Sequence, residues 1–136
     1  MNWRTSLVLI AVALMALAAP GCGFSVSTAN ISVAAMARDK AGADPTTTFA
    51  PDEPFYCVIQ LSNAPDDTNV RALWTAVDTE AAEPGTVIDE AELTQGDGQI
   101  VFDLTNDRAW PTGKYEVQLF LNEGEAPAET LAFQVE

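Results

Sequence analysis

From residue 55 onward the chain alternates apolar and polar positions. Phe55, Cys57, Ile59 and Leu61 interleave with Tyr56, Val58, Gln60 and Ser62, a period of two that gives an extended strand one apolar face. Ala64-Pro65-Asp66-Asp67 then reads as a turn. Val70, Ala72, Trp74 and Ala76 form the next inward set, with Arg71 and Thr75 between them. Glu83-Pro84-Gly85 is a second turn, and residues 86–93 fit either a strand or a short irregular edge. After Gln95-Gly96-Asp97-Gly98, Ile100, Phe102 and Leu104 alternate with Val101 and Asp103. Past Pro111-Thr112-Gly113, Tyr115, Val117, Leu119 and Leu121 alternate with Glu116, Gln118 and Phe120. Asn122-Glu123-Gly124 leads to a last strand with Leu131, Phe133 and Val135 inward.

Upstream, residues 31–36 are a possible first strand, and residues 38–48, with Gly42 and Pro45, read as a loop. No segment downstream of residue 22 sustains the i, i+3, i+4, i+7 stripe of a core helix. Six or seven short strands with frequent turns predict an all-β antiparallel sandwich or barrel.

The first 21 residues follow another pattern. Arg4 precedes an unbroken apolar run at 7–19, which Pro20 and Gly21 terminate. A bilayer-spanning helix needs about 20 apolar residues, so this run predicts a removable signal-peptide helix. Ala19-Pro20-Gly21-Cys22 resembles the lipobox of bacterial lipoproteins. That resemblance implies cleavage before Cys22 and a diacylglyceryl group on its thiol, holding the protein to a bacterial membrane at the cell surface or on the periplasmic side. Ala16-Leu17-Ala18 is the competing cleavage site and would release a soluble secreted protein. The expected organisation is a signal peptide at 1–21, a lipidated N-terminus, tether and possible first strand at 22–48, and a sandwich domain at 49–136.

Composition narrows the function. Six Lys and Arg face 20 Asp and Glu, a net charge of −14. Losing Arg4 with the signal makes it −15. Nucleic acid is excluded as a partner, because neutralising phosphates takes Lys and Arg. Anionic headgroups would repel the domain, so the lipid has to hold it there. The chain has no histidine, which removes the commonest general base and the usual zinc ligand. The serines beyond residue 21 are Ser25, Ser27, Ser32 and Ser62, none in a nucleophile motif, and there is no P-loop, dinucleotide-binding glycine pattern or HExxH. No enzymatic activity, cofactor or resident metal is expected. Asp66, Asp67, Asp97 and Asp107 fall in turns and offer oxygen ligands for calcium, but solvated loop acids are the simpler reading. Tyr56, Phe120 and Trp110 either pack against neighbouring strands or present an aromatic patch to a partner. Cys57, on an apolar face, reads as an inert thiol. It has no partner if Cys22 is acylated; if Cys22 is free, a Cys22–Cys57 bridge is available in an oxidising compartment.

Cys57 on one inward strand, Trp74 on the next and Tyr115 after the turn at Trp110-Pro111-Thr112-Gly113 together resemble an immunoglobulin-like sandwich of about seven strands. In that family a corner tyrosine lies two residues before the second cysteine. Here that position is Val117, so the resemblance implies a core of Cys57, Trp74, Tyr115 and Val117 without the inter-sheet disulfide. Residues 52–136 also look like the C-terminal domain of uncharacterised bacterial lipoproteins, through the shared pattern W-P-x-G-x-Y-x-V. These features point to a membrane-anchored binding or accessory module with a protein or glycan partner. The alternatives are a structural subunit of a cell-envelope complex and a secreted soluble domain.

Overall fold

The computed structural model describes residues 28–136, so the signal segment and Cys22 lie outside the described residues. Eight strands follow in order: β1 (Asn30–Ala37), β2 (Thr48–Phe49), β3 (Phe55–Ser62), β4 (Thr68–Thr79), β5 (Thr86–Gln95), β6 (Gly98–Leu104), β7 (Gly113–Leu121) and β8 (Glu129–Val135). They form a three-stranded sheet, ordered β1-β3-β6, and a five-stranded sheet, ordered β2-β8-β7-β4-β5. All pairings are antiparallel except that of β2 with β8.

The alternation read from the sequence sets which faces meet. Phe55, Cys57, Ile59 and Leu61 of β3 and Val70, Ala72, Trp74 and Ala76 of β4 are all buried, as are Ile100, Phe102 and Leu104 of β6. Side chains on alternate positions share a face, so the two sheets bury their apolar sides against each other. One end of this core is aromatic. Phe55 packs edge-on to Phe49 and Phe133, with centroids 5.0 and 4.8 Å away, and stacks on Trp110 at 4.6 Å.

Residues 86–93, ambiguous in sequence, belong to an edge strand. β5 pairs only with β4, so most of its side chains stay wet and the alternation is blurred. The sheet switch from β5 to β6 is made in two residues, Gly96 and Asp97. Asp97 Oδ1 there accepts the N–H of Ala64 at 2.6 Å, and a Cβ on Gly96 would stand 2.6 Å from Asp66 Oδ1.

The sandwich begins at Asn30, so the segment grouped with the tether supplies a full edge strand. β1 pairs with β3 from Asn30↔Ser62 to Ala37↔Tyr56, with a bulge between Ile31 and Val33. The loop that follows is fastened by Arg38, which donates to Glu53 Oε2 at 3.0 Å and to the Thr48 carbonyl at 3.1 Å. Asp39 accepts the N–H groups of Asp44 at 2.9 Å and Ala43 at 3.1 Å; these bonds hold its carboxyl below the ordinary value. Gly42, at φ +72°, lies against Val58, and a Cβ there would sit 3.4 Å from Val58 Cγ1. This loop is why Val58, at an outward position of β3, is only 9% exposed. β2 is two residues long, too short to be seen as a period in sequence.

Candidate functional site

Cys57 and Val117 are both fully buried, on β3 and β7. They sit in one core cluster with Trp74 and Tyr115, from opposite sheets. Cys57 is a free thiol, and burial pushes its pKa up to about 12. Such a group stays protonated and does not act as a nucleophile.

Trp74 is 1% exposed, its Nε1 has no hydrogen-bond acceptor, and its ring lies edge-on to Phe133 at 6.0 Å. Tyr115 donates its hydroxyl to the Pro111 carbonyl at 2.5 Å and stacks on Phe133 at 5.5 Å. Burial, and then the charge of Glu80, raise its pKa. The bond spans the turn that reverses into β7 and fixes its entry angle. Gly113, at φ +138°, makes that turn possible, since a Cβ there would collide with Asp78 O and Thr79 Cα.

The three aromatics weighed as a partner patch do not form one. Trp110 is 7% exposed and donates Nε1–H to the Glu53 carbonyl at 3.1 Å. Phe120 is 6% exposed beneath the Arg71 guanidinium, whose carbon stands 4.1 Å from the ring centroid. Arg71 also pairs with Glu90 at 3.6 Å. Tyr56 is half-buried on β3. The turn acids are dispersed as well: Asp66, Asp67 and Asp97 lie at the end of the sandwich where β1 begins, and Asp107 at the opposite end. Among the described residues no group of three or more His, Cys, Asp or Glu could hold a metal ion.

Two concavities flank β2 and β8; smaller ones lie beside Trp110 and Arg108, and over Val58 beneath the loop at Gly42. One is an open cleft of about 440 Å³ in the five-stranded sheet, lined by Thr47, Val77, Lys114, Glu116, Ala132 and Gln134 among others. Val77 is the extra residue of a bulge in β4, where the pairing with β7 slips between Ala76 and Asp78. A bulge re-aims a side chain, and consecutive apolar residues at Ala76-Val77 were its signal in the sequence. The second is a groove of about 420 Å³ along the seam between the sheets, lined by Ala34, Ala35, Met36, Pro45, Leu131 and Ala132 among others. The two share Thr47 and Ala132. Sequence periodicity could not find either, because the cleft depends on strand neighbours within the five-stranded sheet and the groove on where one sheet ends beside the other.

Chemically, the cleft offers one ammonium, one carboxylate, amide and hydroxyl groups and a short apolar floor. This set can donate and accept hydrogen bonds along the cleft. No thiol, serine or histidine lines it.

No family model matches this chain, and no curated protein matches it. Solved structures do. An immunoglobulin-like protein from Pseudomonas aeruginosa superposes with a TM-score of 0.52 at 18% identity, covering 79% of this chain and 96% of that one. The alkylpurine DNA glycosylase of Pseudomonas fluorescens, solved bound to DNA, matches with a TM-score of 0.52 at 14% identity; the likeness covers 79% of this chain but 30% of that enzyme. A β-glucosidase from Listeria innocua matches at a TM-score of 0.48 and 10% identity over 16% of its own length. At these identities the likeness concerns fold alone: the chain is an immunoglobulin-like β-sandwich.

Proposed function

We propose that this protein is an exported, lipid-anchored immunoglobulin-like module that works by binding, without catalysis, at a bacterial membrane surface. The observation that carries the reading is the junction between anchor and domain. β1 starts at Asn30, eight residues after Cys22. An extended chain of that length spans at most about 29 Å. A lipid on Cys22 would therefore hold the sandwich close to the bilayer, with the end bearing Asp66, Asp67 and Asp97 nearest it. The anchor has to supply the attachment, since those carboxylates are repelled by anionic headgroups. The open cleft beside Lys114 and Glu116 and the seam groove are the surfaces offered to a protein or glycan partner.

Intact mass of the protein taken from its native membrane tests the anchor. A chain starting at Cys22 with added acyl mass supports the reading, whereas a chain starting at Ala19 without added mass overturns it in favour of a secreted soluble domain. Crosslinking in intact cells tests the role: transient contacts support a binding module, and one stoichiometric partner makes it a structural subunit of an envelope complex.

A further inference from the structure

The two faces of the sandwich differ in charge. β1 and β3 carry no charged residue and β6 carries only Asp103, whereas the five-stranded sheet carries six carboxylates against Arg71 and Lys114. Register sets the outward residues of the three-stranded sheet in rows. Val33, Gln60 and Gln99 stand opposite one another, as do Ala35, Val58 and Val101, and directly opposed residues share a face. Asp103 lies opposite Tyr56, at the end away from Asn30. The loop that reaches Val58 balances Arg38 and Lys40 against Asp39 and Asp44. On the strands, the half of this face nearer Asn30 therefore bears no charge, and it exposes Val33 at 58%.

The chain enters the domain on this same sheet. Thr28 donates its hydroxyl to the Asn63 carbonyl at 2.8 Å, just past the end of β3. Thr28 is six residues from Cys22, and six residues span at most about 22 Å. The end of the sandwich at this point is acidic. Its turns at 63–67, 96–97 and 122–128 hold Asp66, Asp67, Asp97, Glu123 and Glu125, and no Lys or Arg.

We propose that the outer face of the three-stranded sheet is the side this domain turns toward the lipid bilayer. The inference rests on the anchor at Cys22 and adds the orientation. A lipid on Cys22 fixes the distance, so repulsion decides only which side faces the headgroups. Anionic headgroups repel both the acidic end and the five-stranded sheet. Tilting about the tether onto the uncharged rows moves both away. The screening length is about 8 Å at physiological salt, and the two sheets of a sandwich lie about 10 Å apart. The carboxylates of the five-stranded sheet are therefore screened once the other sheet faces the membrane. The cleft beside Lys114 and Glu116 then points away from the bilayer, open to a partner.

Spin labels read the orientation. Val33 and Val87, exposed at 58% and 57%, lie on opposite sheets. Val33→Cys and Val87→Cys, made singly in the acylated protein, each carry one nitroxide, because Cys57 is fully buried and unreactive. In vesicles of phosphatidylethanolamine and phosphatidylglycerol, collision with a water-soluble nickel complex should be several-fold weaker at 33 than at 87. Adding Gln60→Glu and Gln99→Glu puts carboxylates on the face and should abolish the difference, with melting temperature checking the fold. Raising salt from about 0.1 to 1 M shortens the screening length from about 10 to 3 Å and should narrow it. Equal collision at both positions, in a protein that floats with the vesicles, overturns the orientation and leaves the anchor standing. Stronger shielding at 87 overturns it too, as does a difference that the two glutamates leave intact. Spin–spin broadening at 33 would mark contact with a second copy instead and also overturns it. A protein that does not float with the vesicles removes the anchor and the proposal together.

Discussion

Replacing Tyr115 with phenylalanine deletes one oxygen and leaves the ring. The hydroxyl donates at 2.5 Å to the Pro111 carbonyl, four residues earlier, and Tyr115 is 2% exposed. The ring contacts, with Phe133 at 5.5 Å and Phe55 at 5.7 Å, survive the change, so apolar burial is nearly constant and the loss is that of one hydrogen bond. A net bond is worth about 1 kcal/mol, and the carbonyl left without its donor pushes the cost upward rather than down. For a domain of this size 1 kcal/mol moves the melting point by about 4–6 °C. Thermal unfolding followed by far-ultraviolet circular dichroism reads that shift directly. Tyr115→Leu, which also forfeits the stacked rings, should melt lower still, since an aromatic pair adds about 0.5–1.5 kcal/mol beyond its buried area. A Tyr115→Phe protein melting within about 1 °C of the parent would refute the reasoning, because the tyrosine corner would then not be fixing the entry to β7.

Two further outcomes follow from the same core. Cys57 has an ordinary pKa of 9.0 and a folded value pushed up to about 12 by burial; stability from keeping the thiol neutral is therefore complete below pH 9 and is lost as pH rises toward 12, at up to about 1.4 kcal/mol per pH unit. Tyr115 is shifted the same way, so urea titrations on either side of about pH 10 should show a steep alkaline loss that Cys57→Ala makes shallower, and an unchanged slope in that variant would count against the burial effect. Gly113→Ala, which drives a Cβ into Asp78 O and Thr79 Cα, should cost at least about 2 kcal/mol through strain at the turn and displaced backbone, and a variant as stable in urea as the parent would remove Gly113 from the account of this turn.

Period-two alternation was enough to place β3, β4, β6, β7 and β8, because each buries one face and exposes the other. The resemblance to immunoglobulin-like sandwiches, rather than the alternation, pointed to a tyrosine corner at Tyr115, whose hydroxyl donates to the Pro111 carbonyl. Phe120 shows where the pattern stops. It occupies an outward position, yet it is covered by Arg71 from the neighbouring strand, a contact created by the Arg71↔Phe120 register. Val58 is likewise outward and covered, by a loop that crosses over it. No local window contains either partner.

The sequence alone therefore determined the fold class, the inward set of each long strand and the chemistry missing from the chain, since these depend on residue type and local period. Its apolar run at 7–19 and its lipobox resemblance at Cys22, on which the proposed export and anchoring rest, lie outside the described residues. Tertiary structure decided the rest. Residues 86–95 became an edge strand because they have one partner, and β2 exists only because β8 lies beside it. The cleft arises where the β4 bulge lies beside β7 and β8 in one sheet, and the seam groove where β1 of the other sheet faces β8. The uncharged β1 edge was present in the sequence from the start. That β1 lies at the edge of its sheet, with Ala34 to Met36 walling the seam groove across from Leu131 and Ala132, is a property of strand order, which a linear pattern does not contain.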